Sequence, residues 1–280
     1  MEELELDRRT SYRVMPFPSS ERVIYERNPL KEVICDLQFP AILEISSSNP
    51  VAFQKVVRKA YPLFSKGTSV HQVNAPPEIP PHVIQLFLSQ VGEAGPPTFT
   101  FKTADENRAI VMSQSNLVLH EKDYKEWTEF KANFSDVEKT FRKVYEPPFY
   151  TRIGLRYVNV IDRDALDLGD SSWSEILKTR LLGLLGGING VEVTETKTEA
   201  LLNLNVTSVK GAQAYVRHGL VREQSSGRPL YVLDIDLFTD ERSKPTDVPK
   251  RLDVFSREAG NFFRHVTRGK LHEALGPRSG

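Results

Sequence analysis

The chain has 280 residues, enough to bury a substantial core as one large domain or two of ordinary size. Its 37 Lys and Arg balance its 37 Asp and Glu, so it lacks the basic excess from which nucleic-acid binders draw most of their affinity. A single cysteine, Cys35, excludes both an intrachain disulfide and a zinc cluster built on cysteines.

The charged start, Met1 to Arg9, has no apolar core of the kind a signal peptide carries. The longest apolar run, Leu181 to Ile188, falls far short of the ~20 residues that span a bilayer. A cytoplasmic location with no membrane partner is expected. Residues 1–28 show no sustained period and read as an N-terminal arm. From Pro29 the pattern changes. Val33, Cys35, Leu37 and Phe39 alternate with Ile34, Asp36 and Gln38, which predicts a strand with Cys35 as a buried structural thiol. Asn49-Pro50 predicts a helix start, and Phe53, Val56, Val57, Ala60, Tyr61 and Phe64 form its apolar face.

The stretch 74–98 is broken by prolines and glycines around the apolar piece Val83 to Leu88. Thr98–Lys102 and Ala109–Met112 predict a hairpin around Asp105–Arg108, with Asn116–His120 as a third strand. Asp123 and Glu126 have capping-box spacing ahead of a helix whose stripe is Trp127, Phe130, Phe134, Val137, Phe141 and Val144, closed by Pro147-Pro148. Core packing is the ordinary role of such a stripe. Its alternative role is to line an apolar ligand pocket, with Trp127, Phe130, Phe134 and Phe141 as the lining residues.

A similar order then begins again. Arg152–Ile161 predicts a long strand, and Ser172 and Glu175 form a second capping box before Ile176, Leu177, Leu181 and Leu184, with Gly186-Gly187 as the stop. Strands are expected at 200–209, 213–223 and 229–238, the last two joined through Ser225–Arg228. A final helix at about 249–269 carries Leu252, Phe255, Ala259, Phe262 and Val266 on one face. The fold class is therefore α+β, with antiparallel sheets each gripped by long amphipathic helices. Residues 29–148 and 149–280 read as two β-α-β-β-β-α units, either duplicated copies or parts of one continuous domain.

No nucleophile elbow, phosphate loop, dinucleotide fingerprint or zinc-enzyme histidine pair is present among the sequence motifs, so no catalytic residue, metal ligand or cofactor is assigned. The histidines are His71, His82, His120, His218, His265 and His272; the last two are seven apart on the expected terminal helix and read as its polar flank. The acidic run Asp162–Asp170 has Leu166 and Trp173 where a calcium loop needs oxygen ligands, and reads as a turn. Asp234 and Asp236 are two apart in Tyr231–Phe238, which puts both carboxylates on one strand face. They either hold a divalent ion and share acid–base work, or line the outer face while Leu233, Ile235 and Leu237 pack inward. Arg156, Arg217 and Arg222 stand on strands as ion-pair partners. Arg257, Arg264, Arg268 and Lys270 make the C-terminal stretch locally basic, a weak argument for nucleic acid and a stronger one for a solvated helix face.

The segments Asn28-Pro-Leu-Lys-Glu-Val-Ile-Cys-Asp-Leu-Gln-Phe-Pro40 and Arg152-Ile-Gly-Leu-Arg-Tyr-Val-Asn159 resemble the opening and central strands of a sporadically distributed family of uncharacterised bacterial and archaeal proteins. A looser likeness covers Phe262 to Gly276. The resemblance implies a patchy distribution of the kind seen for defence and toxin–antitoxin genes, and carries no catalytic residues with it. The leading expectation is a non-enzymatic binding or interaction protein, a subunit or regulator in such an operon, with a protein partner or self-association. An apolar-ligand binder with a helix-over-sheet cavity is second, and a metal-dependent enzyme using Asp234 and Asp236 is third.

Overall fold

The alternation from Val33 to Phe39 has the consequence expected of period two: Val33, Cys35 and Leu37 are fully buried while Glu32, Ile34, Asp36 and Gln38 are half-buried on the other face. In a computed structural model, which describes residues 17–68, 96–183, 199–206, 209–223 and 226–279, the chain forms two compact units. One takes in Leu30–Asn159 and Arg242–Leu252; the other takes in residues 17–29, 160–241 and 253–279. Strands and helices are antiparallel sheets and packed layers in both, so the α+β class holds. The expected readings of Val83–Leu88, Leu184, Gly186-Gly187, Ser225, His71, His82 and residues 1–16 lie outside the described residues.

In the first unit, β2 (Leu30–Gln38), β3 (Leu63–Thr68), β4 (Pro97–Lys102), β5 (Arg108–Met112), β6 (Asn116–Glu121) and β7 (Arg152–Ile161) run in the order β3-β4-β5-β6-β2-β7. The two segments that carry the family resemblance are thus neighbours: Cys35 faces Leu155 and Leu37 faces Ile153 across β2 and β7. The hairpin between β4 and β5 turns on Asp105, whose carboxylate accepts from Thr103 Oγ1 at 2.5 Å and from the Asn107 amide at 3.1 Å. Helices α1 (Leu43–Ser47) and α2 (Val51–Val57) are short. The helix expected from Asn49-Pro50 begins one residue late, with Pro50 in the cap position, and stops at Val57. Pro62 disfavours helical backbone at Tyr61, so Tyr61 is buried beyond the helix and Phe64 lies in β3 instead.

Helix α3 (Trp127–Tyr145) supplies the aromatic layer of this unit. The Asp123–Glu126 capping box does not form: the Asp123 carboxylate is held by Lys125 Nζ at 2.6 Å, and Glu126 itself is the extended cap residue. The helix ends at Glu146, which takes the left-handed conformation with φ 45° immediately before Pro147.

The second unit contains β8 (Ala200–Val206), β9 (Ala212–Arg222) and β10 (Pro229–Thr239) in the order β10-β9-β8, and a small pair of β1 (Val23–Tyr25) with β11 (Pro277–Ser279). Ser172 and Glu175 make the expected capping contact, with Glu175 Oε2 accepting from the Ser172 amide at 2.7 Å and its hydroxyl at 2.9 Å. The helix it opens, however, is not continuous. It divides into α4 (Trp173–Ile176) and α5 (Thr179–Leu182), because Leu177 is drawn into an extended bridge with Thr267, and the Lys178 and Arg268 amides bond to the Val266 and Ile176 carbonyls. The same bridge ends helix α6 (Val248–Val266), after which α7 (Gly269–Ala274) starts afresh. At Gly211, before β9, φ is +69° and an added Cβ would lie 2.3 Å from Glu241 Cγ, so no other residue fits without movement.

Candidate functional site

The residues singled out from the sequence separate into an interior and a surface group. Trp127, Phe130, Phe134 and Phe141 are all buried on the inner side of α3. Phe141 packs on Phe39 with ring centroids 4.8 Å apart, and Trp127 stacks on Phe130 at 6.0 Å. Near them Tyr150 donates a 2.8 Å hydrogen bond to the buried Glu138 carboxylate, which Arg142 Nε also approaches at 2.9 Å. Burial, followed by the charge of Glu138, drives the Tyr150 phenol well above its ordinary range.

The outer face of β6, β2 and β7 carries a polar ladder that pattern reading did not assemble. Asp36 Oδ2 lies 3.4 Å from Arg152 Nε and accepts from Gln38 Nε2 at 3.2 Å, while Asp36 Oδ1 accepts from Asn116 Nδ2 at 3.3 Å. One rung away, His120 Nε2 is 3.5 Å from Glu32. Alternation places Asp36 outward, but only register shows that Asn116 and Arg152 stand on either side of Gln38, one rung along the same face, within diagonal reach of Asp36.

Asp234 and Asp236 do share a face of β10, as their spacing requires, and Leu233, Ile235 and Leu237 fill the opposite, buried face. Asp234 is only 6% exposed and Asp236 is half-buried; each already has a partner. Among the described residues no group of three His, Cys, Asp or Glu side chains is placed to hold a metal. Register brings other side chains to the same face. Asp234 stands opposite Arg217, which stands opposite Leu201; Asp236 stands opposite Tyr215, which stands opposite Asn203. Exposure rises along these rows, reaching 39% at Tyr215 and 51% at Leu201. Arg217 Nε meets Glu199 at 3.4 Å, with both side chains about half open to solvent.

The inner face of the same three strands is buried near its centre. His218 Nδ1 lies 2.9 Å from the Tyr231 hydroxyl, and Tyr231 packs on Trp173 with centroids 5.5 Å apart. Burial pushes His218 down, toward the neutral imidazole, and pushes the Tyr231 phenol up. The surface group therefore consists of an outer face with Tyr, Arg, Leu and Asn side chains ending at β8, the last strand of its order among the described residues. Tyr and Arg are the residue types that most often anchor protein interfaces.

The remaining sequence candidates are structural in their contacts. In the acidic run, Asp162 Oδ1 accepts from the Asp164 and Ala165 amides, Arg228 reaches Asp162 at 3.2 Å, and Arg27 reaches Asp167 at 2.7 Å, as suits a turn. His265 and His272 do not share one helix, since the Leu177–Thr267 bridge interrupts it; His272 Nδ1 pairs with the Tyr25 hydroxyl at 2.9 Å, whereas His265 lies by the Phe17 ring. Cys35 is buried. Among the described residues no helix is long and apolar enough to cross a membrane. No family model and no curated protein matches the chain.

Proposed function

We propose that this is a cytoplasmic, non-enzymatic interaction protein that binds a protein partner through the outer face of β9 and β8. The observation that carries this reading is the solvent exposure of Leu201 and Tyr215 on one sheet face, beside Arg217. An exposed apolar group bordered by polar residues costs solubility and is a recurrent mark of a binding surface. Tyr215 offers a large, stiff contact area with a hydroxyl for water or a partner, and Arg217 offers a planar fork of donors. The resemblance of Asn28–Pro40 and Arg152–Asn159 to a patchily distributed family supports placing the partner in the same operon, as a subunit or regulator of a defence-like system.

The test is titration calorimetry of the purified chain with the product of each flanking gene. Wild type is expected to bind one of them with a negative heat-capacity change, and Tyr215→Ala with Arg217→Ala to weaken that binding by about a hundredfold or more. Equal binding by wild type and the folded double variant would overturn the assignment of this face.

A further inference from the structure

We propose that β8 pairs antiparallel with β8 of a second copy of this chain, centred on Asn203, so that the sheet continues from one molecule into the other. The inference rests on the interaction reading above and names one partner for it. Among the described residues β8 hydrogen-bonds to β9 alone and is the last strand in its order. Among the described residues, one row of its backbone donors and acceptors is left without a strand partner.

β3, the first strand in the order of its own unit, and β8 differ in how such an edge is protected. β3 has Lys66 and Gly67 within Leu63–Thr68, a charge and a weak strand former, both common guards against edge pairing. β8 reads Ala-Leu-Leu-Asn-Leu-Asn-Val, with no charge, no proline and no glycine. Leu201 and Leu202 point to opposite faces and are 51% and 45% exposed, so both faces of β8 are open to solvent at its start, while Val206 at its end is buried.

The sequence of β8 also complements itself. An antiparallel pair centred on Asn203 sets Leu202 opposite Leu204 of the other copy and Ala200 opposite Val206, twice each by the two-fold axis. These even-numbered residues share the face on which Ala212, Ala214 and Val216 are buried in β9, so the apolar layer would run unbroken across the junction. On the other face Leu201 meets Asn205 and Asn203 meets its own copy, with no like charges opposed. A seven-residue edge is small beside the ~800 Å² that each partner contributes to a standard interface, so the pair is a weak, reversible dimer.

Sedimentation equilibrium of the full chain over a concentration series tests this. Wild type is expected to show a monomer–dimer equilibrium, and Leu202→Lys with Leu204→Lys to raise its dissociation constant about tenfold or more by setting lysine against lysine. Mixing that variant with Leu202→Glu plus Leu204→Glu is expected to restore the dimer. Asn203→Cys is expected to form a disulfide-linked dimer under mild oxidation, and Leu201→Cys to form none, because position 201 faces 205. A wild type that stays monomeric throughout, or a paired-lysine variant that dimerises like wild type, would overturn the proposal. So would crosslinking from position 201 but not 203. Each of these leaves binding through Tyr215 and Arg217 intact, so failure here is separable from failure of the interaction reading.

Discussion

Leu202 and Val216 stand directly opposite each other on the same face of β8 and β9, yet Val216 is fully buried and Leu202 is nearly half exposed. At this rung the hydrophobic layer thus stops within one cross-strand pair, whereas at the other end of β8 Val206 is buried opposite Ala212. Burial stabilises in proportion to the area removed from water, and the two residues differ accordingly. Val216→Ala is expected to cost about 2 kcal/mol in urea unfolding, and Leu202→Ser to change stability by no more than about 0.5 kcal/mol under conditions where the chain is monomeric. Equal losses would mean that Leu202 is covered.

Tyr150→Phe removes the hydrogen bond to Glu138 while keeping the ring in place. Glu138 is then left buried with Arg142 as its ion-pair partner. A loss of about 1.5–3 kcal/mol is expected from denaturant unfolding, as for a hydrogen bond to a charged group. A loss below 0.5 kcal/mol, on the order seen at neutral surface sites, would show the contact to be incidental.

Arg108 makes two 2.9 Å bonds to Glu121, whose side chain is almost fully buried, and a longer one to Glu129. Arg108→Ala strands the Glu121 charge and is expected to cost about 3 kcal/mol, whereas Arg108→Ala with Glu121→Leu is expected to recover most of it. A double variant as unstable as the single one would contradict this.

The response to pH follows from three groups of shifts. Burial raises the Tyr150 and Tyr231 phenols, and raises Tyr145 to about 12, from an ordinary value of 10.0. The unfolded chain therefore releases these protons first, and stability present below pH 10 falls as pH rises beyond it. At the other end, burial lowers His218, so the unfolded state takes up its proton first and stability falls as pH drops below 6.5. Glu175, held to about 2 by the Ser172 amide and Lys270, adds a second loss between pH 4.5 and about 2. Thermal unfolding across pH is expected to show a plateau between roughly 6.5 and 10 with these two flanks. Burial also lowers His265 and His272, so replacing His218 by Gln should reduce the first acid step without abolishing it and leave the second unchanged; an unchanged first step would assign it to the other two.

Much of the fold was legible because strands of period two and helices of period 3.6 leave different marks. The alternation from Val33 to Phe39 and the stripe from Trp127 to Phe141 both gave the correct buried face. What escaped was tertiary. Nothing near Leu177 announces the bridge to Thr267 that splits one expected helix into α4 and α5. The pairing of Asp123 with Lys125, two residues away, defeated a capping box of correct spacing. The candidate surface was half visible: the spacing of Asp234 and Asp236 placed them on one face, but register across β9 and β8 was needed to add Arg217, Tyr215 and Leu201. One local signal was available, since Ala214, Val216 and Leu220 leave Tyr215 and Arg217 pointing outward.

Native mass spectrometry of the chain purified from its own host tests the interaction role most directly. The expected result is a stoichiometric complex with a protein of the same operon that is present for wild type and lost for the folded Tyr215→Ala, Arg217→Ala variant. Recovery of the chain free of any other protein, or of the same complex from wild type and variant alike, would contradict it.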